Sequence, residues 1–258
     1  MSILLVVTVG GICGILLLLH MYREAFRNTV LEQDITFVDF PESFDRIVVF
    51  FISDIHKRKI AHEIVDKVKG KADVVIIGGD LLEKGVSMKR AADNIKMLTE
   101  IGPTYFVWGN NDYEVDYHEL DALLLDYKVK ILDNTGVLFE SKEEEKLTIL
   151  GVDDATLKRD RLDLALNDCE QEGFRILISH NPEIINKISA EDRVSLVLSG
   201  HTHGGQIRLL GVSPYLKGGV YLYPHTTLFV SNGYGTTKLP FRLGAPAQTH
   251  LITITRSS

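Results

Sequence analysis

Cysteine is almost missing from this chain: Cys13 and Cys169 are the two in 258 residues. One lies in an apolar run and the other in polar sequence, so neither a disulfide framework nor a cysteine-rich zinc site can be built. Excess positive charge is missing too. A formal net charge of −7 argues against a nucleic-acid-binding surface. It leaves anionic substrates open, because bound divalent cations invert the local field. There is no internal repeat, low-complexity tract or linker-like stretch marking a second domain. With 45% hydrophobic residues, the chain can bury one sizeable core. Two catalytic signatures are absent as well. Ser213 lacks a nucleophile-elbow context. The segment Asn232 to Lys238 has neither the dinucleotide-binding nor the Walker glycine pattern, and reads as a turn.

What is present begins at the N-terminus. From Ile3 to Leu19 no residue is charged, and Leu, Ile and Val dominate. With its flanks the segment is long enough to cross a hydrocarbon core of roughly 30 Å. A cleaved signal would carry a basic leader and a small-residue cleavage site; Met1-Ser2 and the Leu-rich end of the run offer neither. Residues 1–21 therefore read as an uncleaved, single-pass transmembrane anchor. Arg23 and Arg27 follow it, and the positive-inside rule then puts the remainder in the cytoplasm. Tyr22, Phe26 and Val30 recur every fourth position. This predicts an amphipathic juxtamembrane helix over 22–34, lying in the interface or packed on the globular part.

From residue 35 to 258 strand-like and helix-like segments alternate. Ile35 to Val38 and Arg46 to Ser53 read as adjacent strands joined by a turn at Pro41-Glu42-Ser43. Val74 to Ile77 and Tyr105 to Trp108 are continuous apolar runs suited to buried strands. Arg58 to Lys69, Met88 to Thr99 (capped by Ser87) and the stretch through Leu120 to Leu125 have helical spacing. After Ile176 several strands follow with few helices, ending in the alternating Thr249 to Thr255. The expected fold class is α/β, with two mixed β-sheets packed as a sandwich and helices outside.

Potential ligands sit where the apolar runs stop: Asp54-Ile55-His56, Gly79-Asp80, Gly109-Asn110-Asn111-Asp112, Ser179-His180 and Gly200-His201-Thr202-His203. In open α/β sheets, ligands gather beyond the carboxyl ends of the strands. Five such ends would bring mixed Asp, His and Asn donors to one place, as a two-metal hydrolytic centre requires. Singly, each block is a common turn or cap pattern. Together and in this order they are specific.

These blocks resemble the calcineurin-like metallophosphoesterase superfamily over roughly Val48 to Thr255. The longer run from Gly200 to Gln206 is similar to a membrane-associated branch that includes enzymes cleaving the pyrophosphate of UDP-diacylglucosamine. The resemblance implies that Asp54, His56, Asp80 and His203 hold one divalent ion, and that Asp80, Asn110, His180 and His201 hold a second. Asp80 would bridge them. Carboxylate with imidazole suits Mn²⁺ first, with Zn²⁺, Fe or Co as alternatives. One position departs from the pattern: Asn111 stands where the family has a histidine that assists leaving-group departure. An amide donates a hydrogen bond but supplies no proton. Asn111 and Asp112 are thus the candidate catalytic residues of an altered block, and the substrate-binding residues stay unassigned.

The implied function is a membrane-anchored dinuclear phosphoesterase acting on a phosphodiester or pyrophosphate, lipid- or nucleotide-linked, with no nucleic-acid partner. A broader phosphomonoesterase and a non-enzymatic metal-binding scaffold are the alternatives. Lys57-Arg58-Lys59 either reaches substrate phosphates or starts a solvated helix. The apolar stretch between Gln206 and Tyr223 is either a rim facing lipid or a sheet extension. His225 is expected outside the metal shell.

Overall fold

Strict alternation inside one strand sets the layering of the whole molecule. Along Arg46–Ile52, Ile47, Val49 and Phe51 face one buried layer while Val48, Phe50 and Ile52 face another. Side chains of a strand point alternately to opposite faces, so such a strand must be covered on both sides. The structure, a computed structural model, describes residues 3–169 and 172–257.

In chain order the elements are α1 (Ile3–Ala25), β1 (Val30–Phe37), β2 (Arg46–Ile52), α2 (His62–Val68), β3 (Val74–Ile77) and α3 (Met88–Thr99). Then come β4 (Thr104–Phe106), α4 (Tyr117–Asp126), β5 (Lys130–Ile131), β6 (Thr135–Glu140), β7 (Lys146–Gly151) and α5 (Leu162–Asp168). The chain closes with β8 (Phe174–Ile178), β9 (Leu196–Ser199), β10 (Gly219–Leu222), β11 (Thr227–Val230) and β12 (Thr249–Arg256). Two six-stranded mixed sheets form, ordered β1-β12-β2-β3-β4-β5 and β10-β11-β9-β8-β7-β6. Phe51, Ile76, Phe174, Ile176, Leu198, Phe229 and Ile252 interdigitate between them. Helices α2, α3 and α4 cover the outer face of the first sheet through Ile64, Ile95 and Leu120. Helix α5 covers the second through Leu162 and Ala165. The two mixed sheets with flanking helices expected from sequence are thus present, and Ser87 caps α3 by accepting from the Arg90 amide.

Two local expectations are corrected. The predicted juxtamembrane helix over 22–34 does not form as a separate element. Helix α1 runs past residue 21 to Ala25, and Val30 already begins β1. The reason is a distant partner: β1 pairs in parallel with β12, from Val30 opposite Thr249 to Phe37 opposite Arg256. Sheet pairing thus takes over the third position of the apolar period. The same strand separates the two segments expected to be neighbours, because β12 lies between β1 and β2.

Helix α1 is long enough to cross a membrane by length and composition, and Ile3 to His20 are all exposed. Its last turn is docked. Met21 and Ala25 are buried, and the Arg242 and Ala247 amides donate to the carbonyls of Met21 (3.0 Å) and Glu24 (3.1 Å). Arg58 donates to the carbonyls of Phe26 and Arg27, both at 3.1 Å, and to Asn28 Oδ1 at 2.7 Å. The carbonyls at a helix C-terminus lack intrahelical partners, and a guanidinium satisfies several at once. Arg58 also stacks on the Tyr234 ring at 3.6 Å. It is therefore buried in a clamp rather than exposed toward substrate.

Candidate metal centre

The chain turns away from each sheet at the ends of β2, β3, β4, β8 and β9, and these turns meet at one edge of the sandwich. Backbone bonds tie the first two together: the Asp54 amide donates to Gly79 O (3.0 Å), and the Ile55 and His56 amides to Asp80 O (2.8 and 3.2 Å). The Gly200 amide donates to His180 O at 3.0 Å, joining the last two. Asp54, His56, Asp80, His201 and His203 all have positive φ, from 49° to 68°. That left-handed region is sparsely populated by residues with a Cβ, and each such residue stores on the order of 1–3 kcal/mol. Two glycines make room. Gly79 has φ 86°, and a Cβ there would lie 2.5 Å from His180 Nδ1. A Cβ on Gly109 would collide with Asp80 Oδ1.

The side chains converge in two adjoining groups, Asp54 with His56 and His203, and Asp54 with Asp80 and His180. In the first, His203 Nε2 lies 3.3 Å from Asp54 Oδ1 and 3.0 Å from His56 Nε2. In the second, His180 Nε2 lies 3.2 Å from Asp80 Oδ2, and His201 Nδ1 is 3.2 Å from His180 Nε2. Asp80 Oδ2 also stands 3.7 Å from His56 Nε2, so this one oxygen faces both groups. Its Oδ1 is occupied by the Asn111 amide at 2.8 Å. Asn110 Oδ1 is buried without a hydrogen-bond partner, while its Nδ2 donates to Asn111 Oδ1 at 3.1 Å. Buried imidazole nitrogens facing one another across carboxylates, beside an orphaned amide oxygen, are a donor set that fits divalent cations.

The electrostatics follow from crowding. Burial works to lower the His180 pKa, but Asp80, with Asp54 and the Gly78 carbonyl, lifts it to about 10. Burial works to raise Asp80, yet His180 and His56 hold it below the ordinary carboxylate range. Burial and the neighbouring imidazoles depress His201 and His203, so both are neutral donors at pH 7. Each of three rings has a polar neighbour beside its far nitrogen. His180 Nδ1 is 2.8 Å from Gly78 O, His56 Nδ1 is 3.1 Å from Glu83 Oε2, and His203 Nδ1 is 3.0 Å from Arg242 Nη2. For His180 and His56 the outer partner is an acceptor, which takes the far N–H and leaves Nε2 to face the centre.

Asn111 lines the cleft and donates through Nδ2 to Glu114 Oε1 at 2.9 Å. Asp112 does not line it. Its fully buried carboxylate accepts from the amides of Asp80, Leu82 and Gly109, each at 2.9 Å. Burial and the Asp80 charge raise its pKa to about 7. This geometry gives Asp112 a positioning role, bracing the loop that carries Asp80. Sequence reasoning missed Glu83 and Arg242. Glu83 follows Asp80 by three positions without any motif. Arg242 is fully buried and donates to the carbonyls of His203, Ala245, Asn232 and Gly235, with burial lowering its pKa to about 9. Nothing local in the sequence marks it as buried. His225 lies in a separate groove with Asp39, Phe174 and Arg193.

The donors open into a cavity of about 450 Å³ whose rim includes Asn111, Gln206, Ile207, Tyr215, Lys238 and Leu239. Of the stretch between Gln206 and Tyr223, Gly219–Leu222 extends the second sheet as its edge strand β10, while residues 206–213 form a hairpin outside both sheets. Its tip, Leu210-Gly211, has φ of 51° and 81°, the twist that a two-residue hairpin turn requires. Leu209, Leu210 and Val212 are exposed there. Gln206 Nε2 donates to the carbonyls of Thr237 and Leu239, both at 3.0 Å, and the Tyr22 and Phe241 rings meet edge-on at 6.5 Å. The hairpin, the 237–242 loop and the end of α1 therefore form one rim.

An α/β sandwich with Asp, Asn and His donors at its strand ends has the architecture and donor chemistry of a two-metal phosphoester hydrolase. The chain belongs to the calcineurin-like phosphoesterase family, which it matches over residues 47–205. Metal-dependent phosphoester hydrolysis is the chemistry of that family. The chain is 44% identical over 210 residues to an uncharacterized Bacillus subtilis protein, YpbG, covering 81% of both chains. It is 29% identical to a zebrafish (Danio rerio) transmembrane protein with metallophosphoesterase domain, covering 92% of this chain and 60% of that one. Among solved structures it resembles the Haemophilus influenzae NAD nucleotidase, with TM-score 0.50 and 16% identity over 74% of this chain and 45% of that one. The last likeness shows the fold alone.

Proposed function

We propose that this protein is a membrane-anchored dinuclear metal phosphoesterase that cleaves a phosphodiester or pyrophosphate bond in a lipid- or nucleotide-linked substrate. Asp54, His56, Asp80 and His203 hold one ion, and Asp80, Asn110, His180 and His201 the other. Mn²⁺ is the first choice, and Zn²⁺, Fe and Co suit the same donors. Bound there, the pair would supply a deprotonated water at neutral pH and neutralise phosphoryl charge.

The observation that carries the choice of substrate bond is Asn111. It lines the cleft where a histidine would donate a proton. Its amide can hold a phosphoryl oxygen in place but leaves the departing oxygen unprotonated. General acid catalysis is worth roughly 10²–10⁴-fold, and that loss falls hardest on poor alkoxide leaving groups. Phosphate and activated diester leaving groups depart without such help. The apolar cleft rim beside α1 supports a lipid-linked substrate, and Arg23 and Arg27 after the anchor support a cytoplasmic catalytic domain.

The test uses the full chain in detergent with Mn²⁺, bis-p-nitrophenyl phosphate and p-nitrophenyl phosphate, with Asp80→Ala as control. Metal-dependent diester cleavage that Asp80→Ala abolishes is the expected result. A preference for the monoester would replace this reading with a phosphatase.

A further inference from the structure

A second cavity, of about 740 Å³, lies on the other side of the loop that borders the metal cleft. Its wall carries Lys57, Arg58, Lys59, Arg90 and Lys238, and no acidic side chain. In a chain of net charge −7 this is a concentrated positive site. Two of the cations are committed elsewhere: Arg58 clamps the end of α1, and Lys57 pairs with Glu83 at 2.5 Å. Arg90 uses Nη1 to hold the Lys57 carbonyl at 2.7 Å and keeps its remaining donors. Lys59 and Lys238 are exposed and have no acidic partner among the described residues. Lys238 lines both cavities.

The position is as informative as the charge. Phe26 and Asn28, just past the end of α1, form part of the same wall. A helix of 23 residues is about 35 Å long at 1.5 Å per residue. It therefore spans a hydrocarbon core of roughly 30 Å and brings its far end out at headgroup level. The exposed rings of Tyr22 and Phe26 mark that level. Lipid phosphates occupy this depth, and basic pockets at helix ends are where anionic headgroups are held.

We propose that this cavity binds the phosphate-bearing headgroup of an anionic membrane lipid, separate from the phosphoryl group that reacts at the metal centre. The proposal rests on the anchoring of α1 in a membrane and not on the hydrolytic activity. Lys59 and Lys238 hold the phosphate, Arg90 adds a directed donor, and the Phe26 ring lies along the first acyl carbons. A lipid seated here fixes the protein's rotation about α1 and turns the shared loop, with Leu239, toward the bilayer.

The experiment is native mass spectrometry of the full chain released from nanodiscs of equal phosphatidylglycerol and phosphatidylcholine. The wild type should retain phosphatidylglycerol selectively. Lys59→Gln should cut that retention roughly fivefold and Lys59→Glu by more, since each charge near an anionic surface contributes about that order. Asp80→Ala should keep the selectivity even when it destroys hydrolysis, so the two readings can fail independently. Equal retention of both lipids by the wild type, or unchanged selectivity in both Lys59 variants, would overturn the proposal. So would loss of the bound lipid to millimolar inorganic phosphate, which would assign the cavity to a soluble phosphate instead.

Discussion

Asn111 and His180 set the chemistry of the centre from opposite directions, one by what it lacks and one by the proton it holds. Asn111→His would restore a proton donor at the rim of the cleft. We expect hydrolysis of an alkyl phosphate ester, with its poor alkoxide leaving group, to rise by roughly 100-fold or more relative to p-nitrophenyl phosphate, since one general acid contributes about 10²–10⁴-fold where the leaving group needs a proton. An unchanged ratio in steady-state assays would mean that the leaving group departs elsewhere. His180 makes a pH prediction. Against the effect of burial, Asp80 raises its pKa from 6.5 to about 10. In metal-free protein its protonated form therefore stabilises the fold fully below pH 6.5, and that contribution fades as pH rises through about 10. A divalent ion must displace this proton. Affinity for Mn²⁺ should then climb with pH, approaching tenfold per unit between about pH 7 and 9. Calorimetry in buffers of different ionisation enthalpy would show the released proton; a flat affinity would contradict the pairing of His180 with Asp80.

At the scale of elements, the clamp at the end of α1 depends on one side chain. Arg58→Ala removes the donors to Phe26, Arg27 and Asn28 and strips the two carbonyls of their guanidinium, while Asn28 Oδ1 keeps the Tyr234 hydroxyl at 2.9 Å. The expected cost is about 2–4 kcal/mol, because several partners lose a charged donor at once. Arg58→Lys should recover little of it, since an ammonium lacks the planar fork and the stacking face. Thermal unfolding of the full chain in detergent measures both, and melting temperatures equal to wild type would remove the clamp from the account. This element also marks how far the sequence could be read. Continuous runs such as Val74–Ile77, and the spaced, capped Met88–Thr99, declare themselves because their periodicity is local. The metal blocks declare themselves because strand ends and turn residues coincide. Arg58 was legible as charge but not as a buried clamp, and Arg242 was not legible at all. Their partners lie in segments far along the chain, and no local pattern encodes a contact of that range. The strand Val30–Phe37 was misjudged for the same reason, since its partner is Thr249–Arg256.

At the scale of the molecule, the cleft, the hairpin tip and the anchor share one rim, so access to the metal centre is expected from the bilayer side. Leu210 is fully exposed at that tip and does not line the cleft. Leu210→Asp should lower turnover of a lipid-linked diester in vesicles roughly tenfold, the value of one buried leucine, while bis-p-nitrophenyl phosphate is cleaved as before. Equal losses on both substrates would mean that the hairpin supports the site rather than the membrane contact. The threading of β12 between β1 and β2 has a consequence of another kind. During synthesis the anchor and every ligand-bearing loop leave the ribosome before β12 exists. Until it arrives, β1 has no sheet partner among the described residues and β2 presents a bare edge. The nascent chain thus carries all its ligand loops while half-sealed, beside an open seam that closes only when the final stave is driven in.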